Sequence, residues 1–226
     1  MHRFLYLSYQ INSKTPLYPE APALEIKKVK DMDKGDACNA VSLTLSNHSG
    51  THVDAPSHFL KDGKALDGYL QADLIFTDPY IVDCRKGPDE LIAIKDLQPV
   101  AVRHDTSALL IRTGFSKYRS SDPQVYSYHN PCLLPETAEW IRKEFRNLKL
   151  IGIDTISFSS RSHRTLGAET HRTLFDGKKF KGPPLLIAED MNLPEGIDRL
   201  DQLIIIPMFS LPLDGSPCAA LGVVYD

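Results

Sequence analysis

The stretch His48 to Phe59, HSGTHVDAPSHF, constrains this chain more than any other. It sets His48, His52, Asp54 and His58 within eleven residues. A His-x-x-x-His pair usually shares one face of a helix, but Ser49, Gly50, Thr51, Val53 and Pro56 are poor helix formers. The alternative is an extended segment whose side chains alternate. Positions 48, 50, 52, 54, 56 and 58 then share a face that carries three histidines and an aspartate, with Gly50 leaving room for an ion. The other face, Ser49, Thr51, Val53, Ala55, Ser57 and Phe59, is free to pack inward. Solvated histidines at a strand end would leave Asp54 on the histidine face unexplained. Two imidazoles and a carboxylate suit Zn²⁺, and Mn²⁺ or Fe²⁺ if further oxygen ligands join.

The 226 residues suffice for one domain, 1–226, with its own core. A net charge of −3 provides no basic field for nucleic acid or an anionic membrane. Cys38, Cys84, Cys132 and Cys218 lie far apart and form no Cys-x-x-Cys pair. They read as small buried residues in a reducing compartment, not as a disulfide frame or thiolate metal site. The start, MHRFLYLSYQI, lacks the long apolar core and cleavage site of a signal peptide. No apolar run approaches a membrane span. The expected setting is the cytoplasm.

Short apolar runs bounded by turn residues predict strands over 3–9, 24–29, 39–45, 72–76, 80–84, 107–113, 148–153, 185–188, 203–207 and 219–224. Residues 89–97 predict a short helix. Residues 135–145 predict the best helix in the chain, with Pro135 in the first turn, acids early and bases late. Thr15 to Pro22 is a proline-rich loop that presents Leu17 and Tyr18 either to a ligand or to the core. Residues 115–131 read as a long irregular loop, with a lid as one use for 115–129. Many strands and few helices predict a mainly β, mixed α/β domain.

Two more residues compete for the metal. His171 lies in GAETHRTLF, and Glu189 closes the apolar run LLIAE. By spacing alone His163, Glu169 and Asp154 rank with them, though Asp154 reads more readily as a cap.

Taken together these residues resemble the cyclase family of metal-dependent hydrolases, which includes bacterial kynurenine formamidases and isatin hydrolases. HSGTHVDAPSHF resembles its signature. LLIRTG (109–114), HNPCLLPETAEWI (129–141), LIGIDTISF (150–158), HRTLF (171–175), LIAEDMNL (186–193) and PLDGSPCAALGVV (212–224) are similar to further family segments. The resemblance implies a compact swivelling β/β/α fold and a homo-oligomer, dimer or tetramer. It implies one or two divalent metals per chain, zinc or manganese. His48, His52 and Asp54 would hold the first. Asp54 and Glu189 would bridge, His171 would bind the second, and His58 would be the catalytic acid–base.

The chain departs from the formamidase branch in three places. Tyr18 stands where a substrate-stacking Trp is usual, Ala219 stands near a usual Arg, and GKKFKGPP (177–184) lengthens the gap between His171 and Glu189. The expected activity is hydrolysis of a small amide by a metal-held hydroxide, with His58 cycling the proton. Aryl formamides such as N-formylkynurenine are the first candidate substrates. A cyclic amide or lactone, as for isatin hydrolases, is the second. A metal-dependent binding protein without turnover is a third reading, and His58 argues against it.

Overall fold

Alternation of apolar side chains builds the centre of this protein. The computed structural model describes residues 2–98, 105–197, 199–209 and 211–225. Its strands are β1 (His2–Tyr6), β2 (Glu25–Lys30), β3 (Ala40–Thr44), β4 (His52–Asp54), β5 (Ile75–Thr77), β6 (Tyr80–Asp83) and β7 (Leu91–Ile92). They continue as β8 (Ala108–Arg112), β9 (Cys132–Leu133), β10 (Leu150–Ile153), β11 (Leu186–Glu189), β12 (Gln202–Pro207) and β13 (Gly215–Tyr225). The helices are α1 (Ile94–Leu97), α2 (Tyr118–Ser121), α3 (Pro123–Tyr128), α4 (Pro135–Glu144) and α5 (Arg164–Phe175).

One mixed, strongly curled sheet runs in the order β5-β12-β13-β4-β11-β10-β8-β6, and β1 pairs with β13. Strands β6, β8, β10 and β11 are mutually parallel. Strand β4 is antiparallel to both neighbours, β11 and β13, so it is the seam between the parallel and antiparallel halves. In α/β sheets ligands bind beyond the carboxyl ends of the parallel strands, and Glu189 ends β11 there, beside the seam.

Both faces of the parallel half are covered, as parallel strands require. Leu109, Ile111, Ile151, Ile153 and Ile187 pack with Ala138 and Ile141 of α4 and Leu174 and Phe175 of α5. The alternate residues Ala108, Leu110, Leu150, Leu186 and Ala188 pack on the other side with Val53, Phe76, Leu203 and Ala220. The seam follows the same rule. Val53 lies in the second cluster, which turns His52 and Asp54 to the helical face. Arg142, on α4, is itself buried. It donates to the carbonyls of Asp176 and Pro183, and so ties together the two ends of the 177–184 stretch.

The mainly β, few-helix α/β architecture is as expected, and the helix predicted over 135–145 is α4, Pro135–Glu144. Local departures have local causes. Residues 48–58 are not one extended segment: only His52–Asp54 is strand, Gly50 turns with φ +66°, and Pro56–His58 is a 3₁₀ turn. Residues 89–97 split into β7 and α1. The stretch 115–131 is not irregular. It holds a 3₁₀ turn, α2 and α3, with the Asp122 side chain capping α3 by accepting from Val125 N at 3.1 Å. Helix α5 had no counterpart among the predicted elements.

Candidate metal centre

Three segments converge on the helical face of the seam. Strand β4 supplies His52 and Asp54, the end of β11 supplies Glu189, and α5 supplies His171. Antiparallel pairing sets His52 opposite Glu189. The Gly50 turn folds His48 back so that its Nδ1 lies 2.8 Å from Asp54 Oδ1. The start of β13 closes the floor at Gly215. A Cβ there would lie 2.5 Å from His48 Cε1 and 2.8 Å from Asp54 Oδ1, so the site needs a residue without a side chain.

His52 Nε2 lies 3.5 Å from Asp54 Oδ1 and 3.5 Å from Glu189 Oε2. His171 Nε2 lies 3.2 Å from Glu189 Oε1. Both rings donate Nδ1–H to a carbonyl, His52 to Gly50 O at 2.8 Å and His171 to Gly167 O at 2.7 Å. That fixes the tautomer, and it aims two Nε2 lone pairs at buried carboxylates. Such an arrangement calls for a positive charge between the groups, either a proton or a metal ion. Burial disfavours charge on His52, but Asp54 and Glu189 outweigh it and hold its pKa up to about 9. His171 is raised in the same way, with burial opposed by Glu189.

The carboxylates are prepared for a cation too. Asp54 is buried, and its Oδ2 has no hydrogen-bond partner among the described residues. An ionised oxygen left so is costly unless a cation meets it. Glu189 Oε1 accepts from Phe158 N at 2.7 Å and Ser157 Oγ at 3.0 Å, which orients the carboxylate. Despite burial, the surrounding histidines hold the pKa of both acids below the usual carboxylate range. Among the described residues two groups have the spacing of a metal site, His52, Asp54 and Glu189, and His48, Asp54 and His58, and His171 falls in neither. Asp54 belongs to both.

His58 lines the same cleft, with its side chain 27% exposed. Its ring lies 4.1 Å from that of His48, centroid to centroid. Its Nδ1 is 2.6 Å from Asp214 Oδ2, and His48 Nε2 reaches the same oxygen at 3.1 Å. Burial and His48 lower the pKa of His58 against the pull of Asp54 and Asp214, while Asp214 itself is held down at about 2. Asp214 was not among the expected site residues. It lies in PLDGSP just before β13, and no local spacing ties it to His58.

The cleft has a volume of about 350 Å³. Tyr18 forms part of its wall and also packs against Phe115, Tyr126 and Ile156. Asp154 lies elsewhere. It is buried and accepts from Thr113 N, Thr113 Oγ1 and Gly114 N, closing the turn after β8 as a cap. Glu169 is exposed on α5, and His163 ends the 3₁₀ turn before it; neither joins the cluster.

Comparison with known proteins points the same way. Residues 5–160 match the family model described as putative cyclase. A kynurenine formamidase from Geobacillus thermodenitrificans (strain NG80-2) is 27% identical over 223 residues, covering 97% of this chain and 97% of that protein. Isatin hydrolase A from Labrenzia aggregata superposes with a TM-score of 0.80 at 21% identity, covering 100% of this chain and 94% of that one. A structure described as a potential metal-dependent hydrolase with cyclase activity gives a TM-score of 0.75 at 18% identity, with both chains fully covered (100% and 100%). At these identities the two structural likenesses speak for the fold.

Proposed function

The chain belongs to the putative cyclase family, and on that premise we propose that it is a single-domain, metal-dependent hydrolase that cleaves a small amide. The observation that carries this is Asp54, a buried carboxylate set between two histidines with one oxygen unpartnered. The donor set fits a divalent cation. Buried imidazoles with fixed tautomers and oriented carboxylates suit zinc, and manganese if carboxylate oxygens dominate. His48, His52 and Asp54 would hold one ion, and Asp54, His171 and Glu189 a second. A bound cation supplies Lewis acidity toward a carbonyl and activates water near neutral pH.

The protein's own groups account for the rest. Asp214 accepts from His58 Nδ1–H, which leaves Nε2 as the basic atom of a ring that lines the cleft. His58 takes a proton from water as it attacks the substrate carbonyl and returns one to the departing amine. Asp214 holds that imidazole in place and stabilises its charged form. Tyr18, Ile156 and Phe59 wall the cleft with apolar surface suited to an aryl group. N-formylkynurenine is the first substrate on this reading, in line with the formamidase relative. The Tyr at position 18 favours a second reading with the same chemistry, hydrolysis of a cyclic amide or lactone such as isatin. Parallel assays on N-formylkynurenine and isatin separate the two; hydrolysis of neither, nor of any simple formamide, would contradict the proposal.

We also propose a homo-oligomer, the dimer being its simplest form, in the cytoplasm. Strands β2 and β3 form a separate two-stranded hairpin, and such a hairpin is marginal on its own. On one of its faces Ile26, Val41 and Leu43 are 53%, 58% and 57% exposed. An apolar patch of that kind marks an interaction surface. Sedimentation of the wild type should give a dimer or tetramer, and Leu43→Asp should dissociate it. A monomeric wild type would refute this. The cytoplasmic setting is supported by four cysteines in thiol form, three of them buried. Among the described residues no helix is long and apolar enough to cross a membrane.

A further inference from the structure

The mouth of the cleft carries an unusual turn. Ala21 N donates to Tyr18 O at 3.0 Å, so Tyr18-Pro19-Glu20-Ala21 is a tight turn. Proline in the second position and a positive φ in the third are the marks of type II. The third residue is Glu20, with φ +75°. That position favours glycine, and a residue with a side chain is held there against strain. The side chain that results is in a defined place. Glu20 lines the cleft and reaches two cations, Arg161 through Nη1 and Arg164 through Nη2 at 3.0 Å. Arg161 begins the 3₁₀ turn before α5, and Arg164 is the first residue of α5, the helix that also supplies His171.

Two guanidinium groups therefore share one carboxylate, and the cluster keeps a net positive charge. Each arginine is paired with Glu20 through one nitrogen, whereas a guanidinium carries five N–H donors in a planar fork that matches a carboxylate. Both remain in contact with water, at 41% and 49% side-chain exposure. Glu20 stands in the wall of the cleft that His58 also lines, so the two guanidinium groups adjoin that wall through it.

We propose that Arg161 and Arg164 form a carboxylate subsite at the mouth of the cleft, and that Glu20 occupies it in the free protein. The inference rests on the hydrolase reading and narrows it: the preferred substrate is an amide that bears a remote carboxylate. Glu20 keeps the two guanidinium groups oriented while the cleft is empty. A substrate carboxylate shares their donors or displaces Glu20, so selectivity arises from charge at the rim and not from the metal cluster.

The test separates this subsite from a simple latch and from the catalytic reading. Binding of phenylacetate, 3-phenylpropanoate and 4-phenylbutanoate, and of their primary amides, is measured by calorimetry. The proteins are metal-loaded wild type, Arg161→Gln/Arg164→Gln and Glu20→Gln. The double variant should bind the best carboxylate about 10-fold more weakly, the scale of two exposed charge pairs, with its amide within about twofold. Glu20→Gln should bind that carboxylate more tightly. Equal weakening of carboxylate and amide would make the cluster a latch for the loop and overturn the subsite. So would equal carboxylate affinity in wild type and double variant, or no measurable carboxylate binding. Formanilide, which lacks a carboxylate, reports separately on hydrolysis. If it is not cleaved while the charge-dependent affinities persist, the amide reading falls and the subsite stands.

Discussion

Replacing Asp54 by Ala is expected to empty the metal centre and reduce hydrolysis to background. Asp54 is the acid common to both groups of metal-competent side chains. Its Oδ1 is shared by His48 at 2.8 Å and His52 at 3.5 Å, and its Oδ2 has no other partner. Removing it takes away the charge that offsets a buried cation and leaves the histidines to repel that cation once protonated. Asp54→Asn is the sharper variant because it keeps the shape. Metal affinity should still fall more than ~100-fold, beyond the loss typical of removing an outer partner. Thermal unfolding of both variants guards against loss of the fold. Full metal content in a folded Asp54→Asn protein would refute the bridging role.

The second large effect is expected at His58. His58→Ala should lower kcat by ~10²-fold or more while metal content stays at the wild-type level. His58 lies on the open side of the cluster and has its Nδ1 engaged by Asp214 at 2.6 Å, an arrangement suited to proton transfer at Nε2. Asp214→Asn should cause a smaller loss in kcat, because it weakens the hold on His58 and leaves the base in place. His58 also falls within ligand spacing of His48 and Asp54. A His58→Ala protein that loses its metal would therefore reassign His58 as a ligand.

The site was legible in sequence where its residues are close in the chain. His48, His52, Asp54 and His58 were visible as a group because turn and strand residues crowd the stretch and exclude a helix. The period-two reading itself held only for His52 and Asp54. His48 and His58 reach the cluster through the Gly50 turn and the Pro56–His58 turn, which alternation does not describe. His171 and Glu189 ranked no higher by spacing than Glu169 or His163. It is α5 and the pairing of β11 with β4 that bring them in.

Helix α5 went unseen because its sequence, RTLGAETHRTLF, carries threonines and a glycine that disfavour a helix. Tertiary contacts account for both. Gly167 lets the helix lie against Ser159, since a Cβ would come within 2.7 Å of the Ser159 Cα. Thr170 Oγ1 donates to Leu133 O at 2.6 Å. Asp214 was hidden for a different reason: it is 156 residues from His58 and arrives only through the entry into β13. The parallel strands β8, β10 and β11 were plain because burial on both faces writes an unbroken apolar run into each.

The central claim is tested most directly by the metal content of the wild-type protein, purified without chelator or affinity nickel and analysed beside Asp54→Asn. About two zinc or manganese ions per chain are predicted for the wild type and close to none for the variant. About one ion in the wild type would confine the firm ligands to His48, His52 and Asp54 and favour the cyclic-amide reading. No metal, with none taken up on adding Zn²⁺ or Mn²⁺, would contradict the account.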